Sequence, residues 1–199
     1  MKRQRDDSFA VANAHWVTDF LAVGGDLAYD EETAVNQAAD LVLSGITHIL
    51  DVRQEADDEL VWEPIRQVDY RWAGIDDAGQ RLPTTWFDDI VGWSLEALRQ
   101  PGAKLLTHCH MGINRGPSAG FAVLLGLGWD PVDALTAIRG ARPIAVIGYA
   151  EDALFWHHVR TGASLDEMAH DRERVAQWRR DNYIDVAKII RKIRRREVV

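Results

Sequence analysis

The chain carries one cysteine, Cys109, and six residues after it stands an arginine, Arg115. An ionised cysteine is a strong nucleophile. A guanidinium grips two oxygens of a phosphate in a planar fork and keeps its charge near neutral pH. Between the two lie His110, Met111, Gly112, Ile113 and Asn114. An apolar run through Leu105 and Leu106 precedes them and Pro117 follows, which reads as a buried strand, a short loop and a helix opening. Successive backbone N–H groups curled into such a loop, backed by the positive end of a helix, make a concave site for a tetrahedral oxyanion. Residues 109–115 form that loop, and Gly112 lets it turn tightly. The same field favours the thiolate of Cys109, so a nucleophile and an anion cradle share one place.

No metal or other cofactor is expected. His108, Cys109 and His110 are consecutive and cannot all point at one ion, and no CxxC or HExxH spacing occurs elsewhere. His157 and His158 are neighbours on a helical stretch, face different directions and suit surface or packing roles.

The string His108-Cys109-x-x-Gly112-x-x-Arg115 resembles the signature of the cysteine-dependent phosphatases, most closely the dual-specificity group. The resemblance extends over roughly residues 14–160, through Leu-x-Val-Gly-Gly near the start, the Ile75-Asp76-Asp77 turn and Ala-Ile-Arg-Gly-Ala-Arg-Pro at 137–143. It implies a phosphomonoester hydrolase working through a phosphocysteine intermediate, with Cys109 as nucleophile, Arg115 binding phosphate and the amides of His110, Met111, Gly112, Ile113, Asn114 and Arg115 lining the cradle. The substrate would be protein phosphotyrosine and phosphoserine/threonine, or a small phosphomonoester. The family places a general acid one helix and one strand before the cysteine, where Asp76 and Asp77 stand. Asp77, 32 residues before Cys109, is favoured, and Asp76 is held in reserve. His108 resembles the histidine that supports the loop, although a packed core histidine fits equally. The family residue after the arginine is usually Ser or Thr, whose hydroxyl helps the cysteine leave; here it is Gly116, and Ser118 is the candidate replacement. The second chemical step is expected to be slow unless Ser118 reaches the sulfur.

Three rivals remain. Asn114 before Arg115 also resembles the RNA 5'-triphosphatase branch of the superfamily. A phosphoinositide phosphatase fits less well, because residues 110–114 contain no lysine for a highly charged headgroup. A non-catalytic phosphate-binding adaptor would use the cradle for recognition alone.

The elements that must position these residues follow from periodicity and turn signals. A strand is expected from Trp16 to Val23, at the sheet edge, ending at Gly24-Gly25. A helix follows over 31–44, then strands over 47–52 and 68–75 separated by a charged loop from Arg53 to Glu59. Thr84 or Thr85 caps a helix to about Arg99, and Pro101-Gly102 ends it. After the Cys109 loop come helices from Pro117, from Asp130-Pro131 and from about Tyr149. Strands alternating with helices predict an α/β, three-layer-like sandwich whose central, mainly parallel sheet is flanked by helices, as in the dual-specificity phosphatase fold, with ligands at the carboxyl ends of the strands.

A length of 199 residues suits one domain with an appended segment: an arm over 1–13, a catalytic domain over 14–162 and a basic helical extension over 163–199. Hydrophobic content of 47% with eight Trp supports a real core. No signal-peptide pattern or membrane span is read, and a thiolate nucleophile needs reducing conditions, so a cytoplasmic location is expected. Net charge is −8, unevenly spread: residues 171–199 hold ten Lys or Arg against five Asp or Glu, a balance of +5 that leaves −13 on residues 1–170. An acidic body disfavours stable nucleic-acid binding. The tail spaces Val186, Ile189, Ile190 and Ile193 along one side among basic residues, which suits either packing on the acidic body or docking on a partner or membrane surface.

Overall fold

The computed structural model describes residues 9–197. Among the described residues five strands form one sheet in the order β1-β2-β5-β3-β4. They span Ala14–Trp16 (β1), Leu21–Gly24 (β2), His48–Arg53 (β3), Asp69–Ile75 (β4) and Leu105–His108 (β5). β1 runs antiparallel to β2 and every other pairing is parallel. The result is the expected α/β sandwich around a mainly parallel sheet.

Strand side chains alternate between two cores, as the period of two requires. Leu21, Val23, Leu50, Val52 and Leu105 face one core, while Ala22, Ile49 and Leu106 face the other. The larger core is built with helices Thr84–Leu98 (α3), Arg115–Gly126 (α4), Pro131–Ala141 (α5), Ala150–Thr161 (α6) and Leu165–Asp181 (α7). The smaller lies under Glu31–Leu43 (α1) and the short helix Glu59–Trp62 (α2). The last helix is Val186–Glu197 (α8). Among the described residues no helix is long and apolar enough to cross a membrane.

Register places the functional edge. His108 at the end of β5 pairs with Gly24 of β2 and Asp51 of β3, so the loops leaving three adjacent strands emerge side by side. α4 starts there and is buried from Arg115 to Leu125. Its small residues let it lie close to the sheet: a Cβ at Gly120 would come within 3.0 Å of Thr107 Oγ1 and Val23 Cγ1.

Several elements differ from expectation. The run from Trp16 to Val23 is a hairpin, because the Thr18 hydroxyl accepts from the amides of Phe20 (3.2 Å) and Leu21 (3.0 Å) and turns the chain. β1 is therefore the edge strand and β2 lies inside the sheet. Neither Thr84 nor Thr85 caps α3 through its side chain; Pro83 holds the N-cap position. α4 begins two residues before Pro117, which a proline in the first helical turn tolerates because those N–H groups lack intrahelical partners. The loop after β3 contains α2.

Of the expected arm, residues 1–8 lie outside the described residues. Residues 9–13 are anchored: Phe9 is buried and stacked on Trp16 at 5.0 Å, and Asp40 accepts from the amides of Val11 and Ala12. The extension is two helices. α7, opened by a Ser164–Glu167 capping box, sends Val175 and Trp178 into the main core. Trp178 Nε1 donates to Thr136 Oγ1 at 3.0 Å, and the Arg139 guanidinium lies 5.1 Å above the indole ring.

Trp178→Ala should therefore lower unfolding stability by about 3 kcal/mol, read as a lower urea midpoint at unchanged slope. A loss under about 1 kcal/mol would mean that α7 is not part of the core.

Candidate active site

Cys109 sits at the end of β5 with 3% of its surface exposed, at the floor of a cleft of about 340 Å³. The loop that follows is shaped by what holds its carbonyls. The carbonyl of His110 accepts from the Asp26 amide (2.9 Å), that of Ile113 from Val146 (2.6 Å) and that of Asn114 from Ser118 (2.8 Å). Those of Met111 and Gly112 accept from the Arg142 guanidinium at 2.9 and 2.6 Å. Every carbonyl from His110 to Asn114 is thus tied away from the cleft. Among the described residues, the N–H groups of the same five residues donate to no protein acceptor. Unspent amides beside a buried thiol are what an oxyanion cradle requires.

Arg142 is the latch. It is 1% exposed, and all five of its N–H donors are used: two on the loop carbonyls, and the rest on Asn13 O, Asn13 Oδ1 and His15 Nδ1. All of these acceptors are uncharged. Burial pushes its pKa down to about 10, against the opposing influence of the Cys109 sulfur. Gly112 has φ of +61°, and a Cβ there would lie 2.5 Å from both Arg142 Nη2 and the Gly24 carbonyl, so only glycine fits.

Arg115 is held differently. Nη1 and Nη2 donate to the two oxygens of Glu55 (2.6 and 2.5 Å), and Nη1 also donates to Ile75 O (2.9 Å). Three of its five donors are spent. The two that remain, Nε–H and the second Nη2–H, form the side-on fork of the guanidinium, and among the described residues the buried Nε has no hydrogen-bond acceptor, the Asp77 carboxylate standing 3.6 Å away. Burial works against the Arg115 charge, but Glu55, the Cys109 sulfur and Asp77 outweigh it and raise its pKa. The bonds from Arg115 hold Glu55 at about 2. The pair is therefore complete above the usual carboxylate range, near pH 4.5, and is lost as pH falls through about 2.

Asp77 and Asp76 are separated by what they touch. Asp77 lines the cleft; its Oδ1 accepts from Asn114 Nδ2 at 2.6 Å, and its Oδ2 lies 3.6 Å from Arg115 Nε. Asp76 instead accepts from the Asp77 amide through Oδ1, while its carbonyl accepts from Gln80. The Tyr149 hydroxyl lies 3.3 Å from both Asp77 Oδ1 and the Asp76 carbonyl, bracing the turn. Asn114 also accepts from the Gly148 amide at 2.5 Å, which ties the loop to a turn where Ile147 is held at φ of +56°, a strained value for a β-branched residue.

His108 is buried, with Nε2 3.8 Å from Asp51 Oδ2 and Nδ1 without a hydrogen-bond partner among the described residues. Asp51 belongs to a cluster in which Arg53 pairs with Asp26, Asp51 and Asp58, and Tyr70 donates to Asp51 at 2.8 Å. Burial raises the Asp51 pKa, but His108 and Arg53 outweigh it and hold the carboxyl below its ordinary range. Asp51, Asp58 and His108 bring ligand atoms within 4.8 Å of one another, yet Arg53 Nη2 stands 2.6 and 2.8 Å from the two carboxylates and supplies the positive charge itself.

Gly116 has a packing reason. A Cβ there would lie 2.9 Å from the Cys109 nitrogen and the His108 Cα, so α4 approaches β5 too closely for a side chain. Ser118 is fully buried, and its hydroxyl accepts from the Tyr149 amide at 3.3 Å, which engages it with the turn before α6. Glu55, Arg142 and Tyr149 carry no assigned role in the sequence reading. The available signal for Glu55 was a charged loop leaving a buried strand at the same sheet edge as Cys109.

No family model and no curated protein sequence matches the chain. Solved structures do. The crystal structure of PTPMT1 in complex with PI(5)P is 17% identical with a TM-score of 0.63, over 75% of this chain and 97% of that one. Tk-PTP in its active form is 23% identical with a TM-score of 0.60, over 74% and 97%. Human DUSP28 is 18% identical with a TM-score of 0.60, over 77% and 99%. The chain shares with them the dual-specificity phosphatase fold.

If Arg142 shapes the cradle by bonding two loop carbonyls while anchored on Asn13 and His15, charge alone will not replace it. Arg142→Lys, with three donors for five acceptors, should weaken inorganic phosphate binding by roughly tenfold or more in calorimetry. Unchanged affinity would mean that the carbonyl ties do not set the loop.

Proposed function

We propose that the chain is a phosphomonoester hydrolase that works through a phosphocysteine intermediate on protein phosphotyrosine and phosphoserine/threonine. The observation that supports it most is the pairing of unspent amides from His110 to Asn114 with the free side-on fork of Arg115, around one buried sulfur. These donors match the three non-bridging oxygens of a phosphate and strengthen as charge builds on them in the transition state.

Each residue then has a chemical task. The Cys109 sulfur attacks phosphorus, forming the S–P bond as the P–O bond to the leaving group breaks. The departing oxygen takes its proton from Asp77, which stands on the cleft wall and is aimed by Asn114 and Tyr149. Water then attacks phosphorus with Asp77 accepting its proton, the S–P bond breaks and phosphate leaves. Glu55 keeps the Arg115 fork pointed at the phosphate throughout. With glycine at 116, no hydroxyl from that position assists departure of the sulfur. Ile113 and Val146 give the cleft an apolar wall suited to the ring of a phosphotyrosine.

Cys109→Ser should abolish turnover of p-nitrophenyl phosphate while inorganic phosphate still binds; turnover within about tenfold of the parent rules the mechanism out. Asp77→Asn should lower kcat by about 10²- to 10⁴-fold, more for basic leaving groups, and flatten the alkaline limb of the pH–rate profile. Asp76→Asn should change kcat by no more than about threefold, and the reverse ranking would hand the acid role to Asp76.

A further inference from the structure

The cleft over Cys109 has a wall that comes from the far end of the chain. Val186 and Ile190 of α8 line it together with Cys109, Asp77 and Arg115. Val186, Ile189, Ile190 and Ile193 fall on one side of the helix and are only half-buried, whereas Lys188, Arg191, Lys192 and Arg195 are exposed on the other. Among the described residues none of these four cations takes part in an ion pair. The segment from Val186 to Glu197 contains six Lys or Arg against one Glu, on a chain whose remainder is strongly acidic.

The attachment of α8 is local. The chain is pinned up to Asn182, whose amide donates to the Trp178 carbonyl and whose own carbonyl accepts from Arg139 at 2.7 Å. Residues 183–185 are not helical, and Tyr183 is 81% exposed. α8 can therefore leave the cleft without disturbing Val175 or Trp178 in the core.

We propose that α8 is a docking surface for an anionic lipid bilayer, and that docking there draws its apolar side off the Cys109 cleft. A soluble polyanion could satisfy the outward cations but offers nothing to the half-wetted isoleucines. A bilayer with anionic headgroups takes both, the cations at the headgroups and the aliphatic side just beneath them. Since one set of side chains serves cleft and bilayer, the two states exclude each other, and lipid shifts the population toward the open cleft. The consequence for catalysis rests on the hydrolase reading; the surface itself does not.

The test uses the full chain, phosphatidylcholine vesicles with and without phosphatidylserine, and alkylation of Cys109 by iodoacetamide followed by mass spectrometry. Phosphatidylserine vesicles should sediment the protein and speed alkylation by roughly fivefold or more, and phosphatidylcholine alone should do neither. The combined variant Lys188→Glu, Arg191→Glu and Lys192→Glu should lose both responses while keeping its vesicle-free alkylation rate. The proposal is overturned if phosphatidylserine vesicles do not bind, if they bind with alkylation unchanged or slowed, or if heparin accelerates alkylation equally. Faster alkylation without any turnover of p-nitrophenyl phosphate supports the lipid surface and removes the hydrolase reading. Turnover that vesicles leave unchanged, with alkylation equally unmoved, removes the lipid surface alone.

Discussion

Everything at the sheet's carboxyl edge depends on where five carbonyl groups point. A loop of this length can turn either its oxygens or its amides inward, and only the second arrangement attracts an anion. The outward direction of the oxygens is enforced from four places: the amides of Asp26, Val146 and Ser118, and the buried Arg142. Taking a guanidinium out of water is costly unless every donor is satisfied, so Arg142 tolerates only the loop geometry that offers it two carbonyls. Of the five bonds that make its burial affordable, two hold the loop and three hold Asn13 and His15 beside it.

Two arginines at one site divide the work. Arg142 spends all its donors on the protein and acts on the architecture. Arg115 spends three, on Glu55 and Ile75, and keeps its side-on pair free. Glu55 does not neutralise the site so much as fix the rotation of the Arg115 plane. Close packing of α4 sets a cost on the other side. The contact that brings the helix terminus under the sulfur leaves no room for a side chain at 116, and the buried hydroxyl nearest in sequence, at Ser118, is engaged by Tyr149.

Local features of the site were legible in the sequence and non-local ones were not. Cys109, Gly112 and Arg115 could be read because thiol, turn and cation lie within one loop, and the apolar run before them and Pro117 after them supply its context. The parallel sheet followed from alternating strand and helix signals. The hairpin at residues 14–24 was missed because its turn depends on one threonine hydroxyl inside an apolar run. Asp76 and Asp77 are adjacent and chemically alike; their difference lies in Asn114, 37 positions away. Glu55 and Arg142 pair across 60 and about 30 residues, distances at which spacing carries no signal. The amphipathic tail was visible as a pattern, but which surface its apolar side covers is a property of the folded chain.

The latch also orders events during synthesis. Arg142 binds Asn13 and His15, the latter 127 positions earlier in the chain. Contacts of such separation form late, after the intervening segments have collapsed and the loop-closure entropy has been met. A polypeptide growing from its amino end therefore has Cys109 and Arg115 in hand well before the residue that curls the loop between them. The nascent chain carries the thiol and the guanidinium, but the loop between them takes its shape only when the strand at 14–16 and the segment after α5 meet around Arg142.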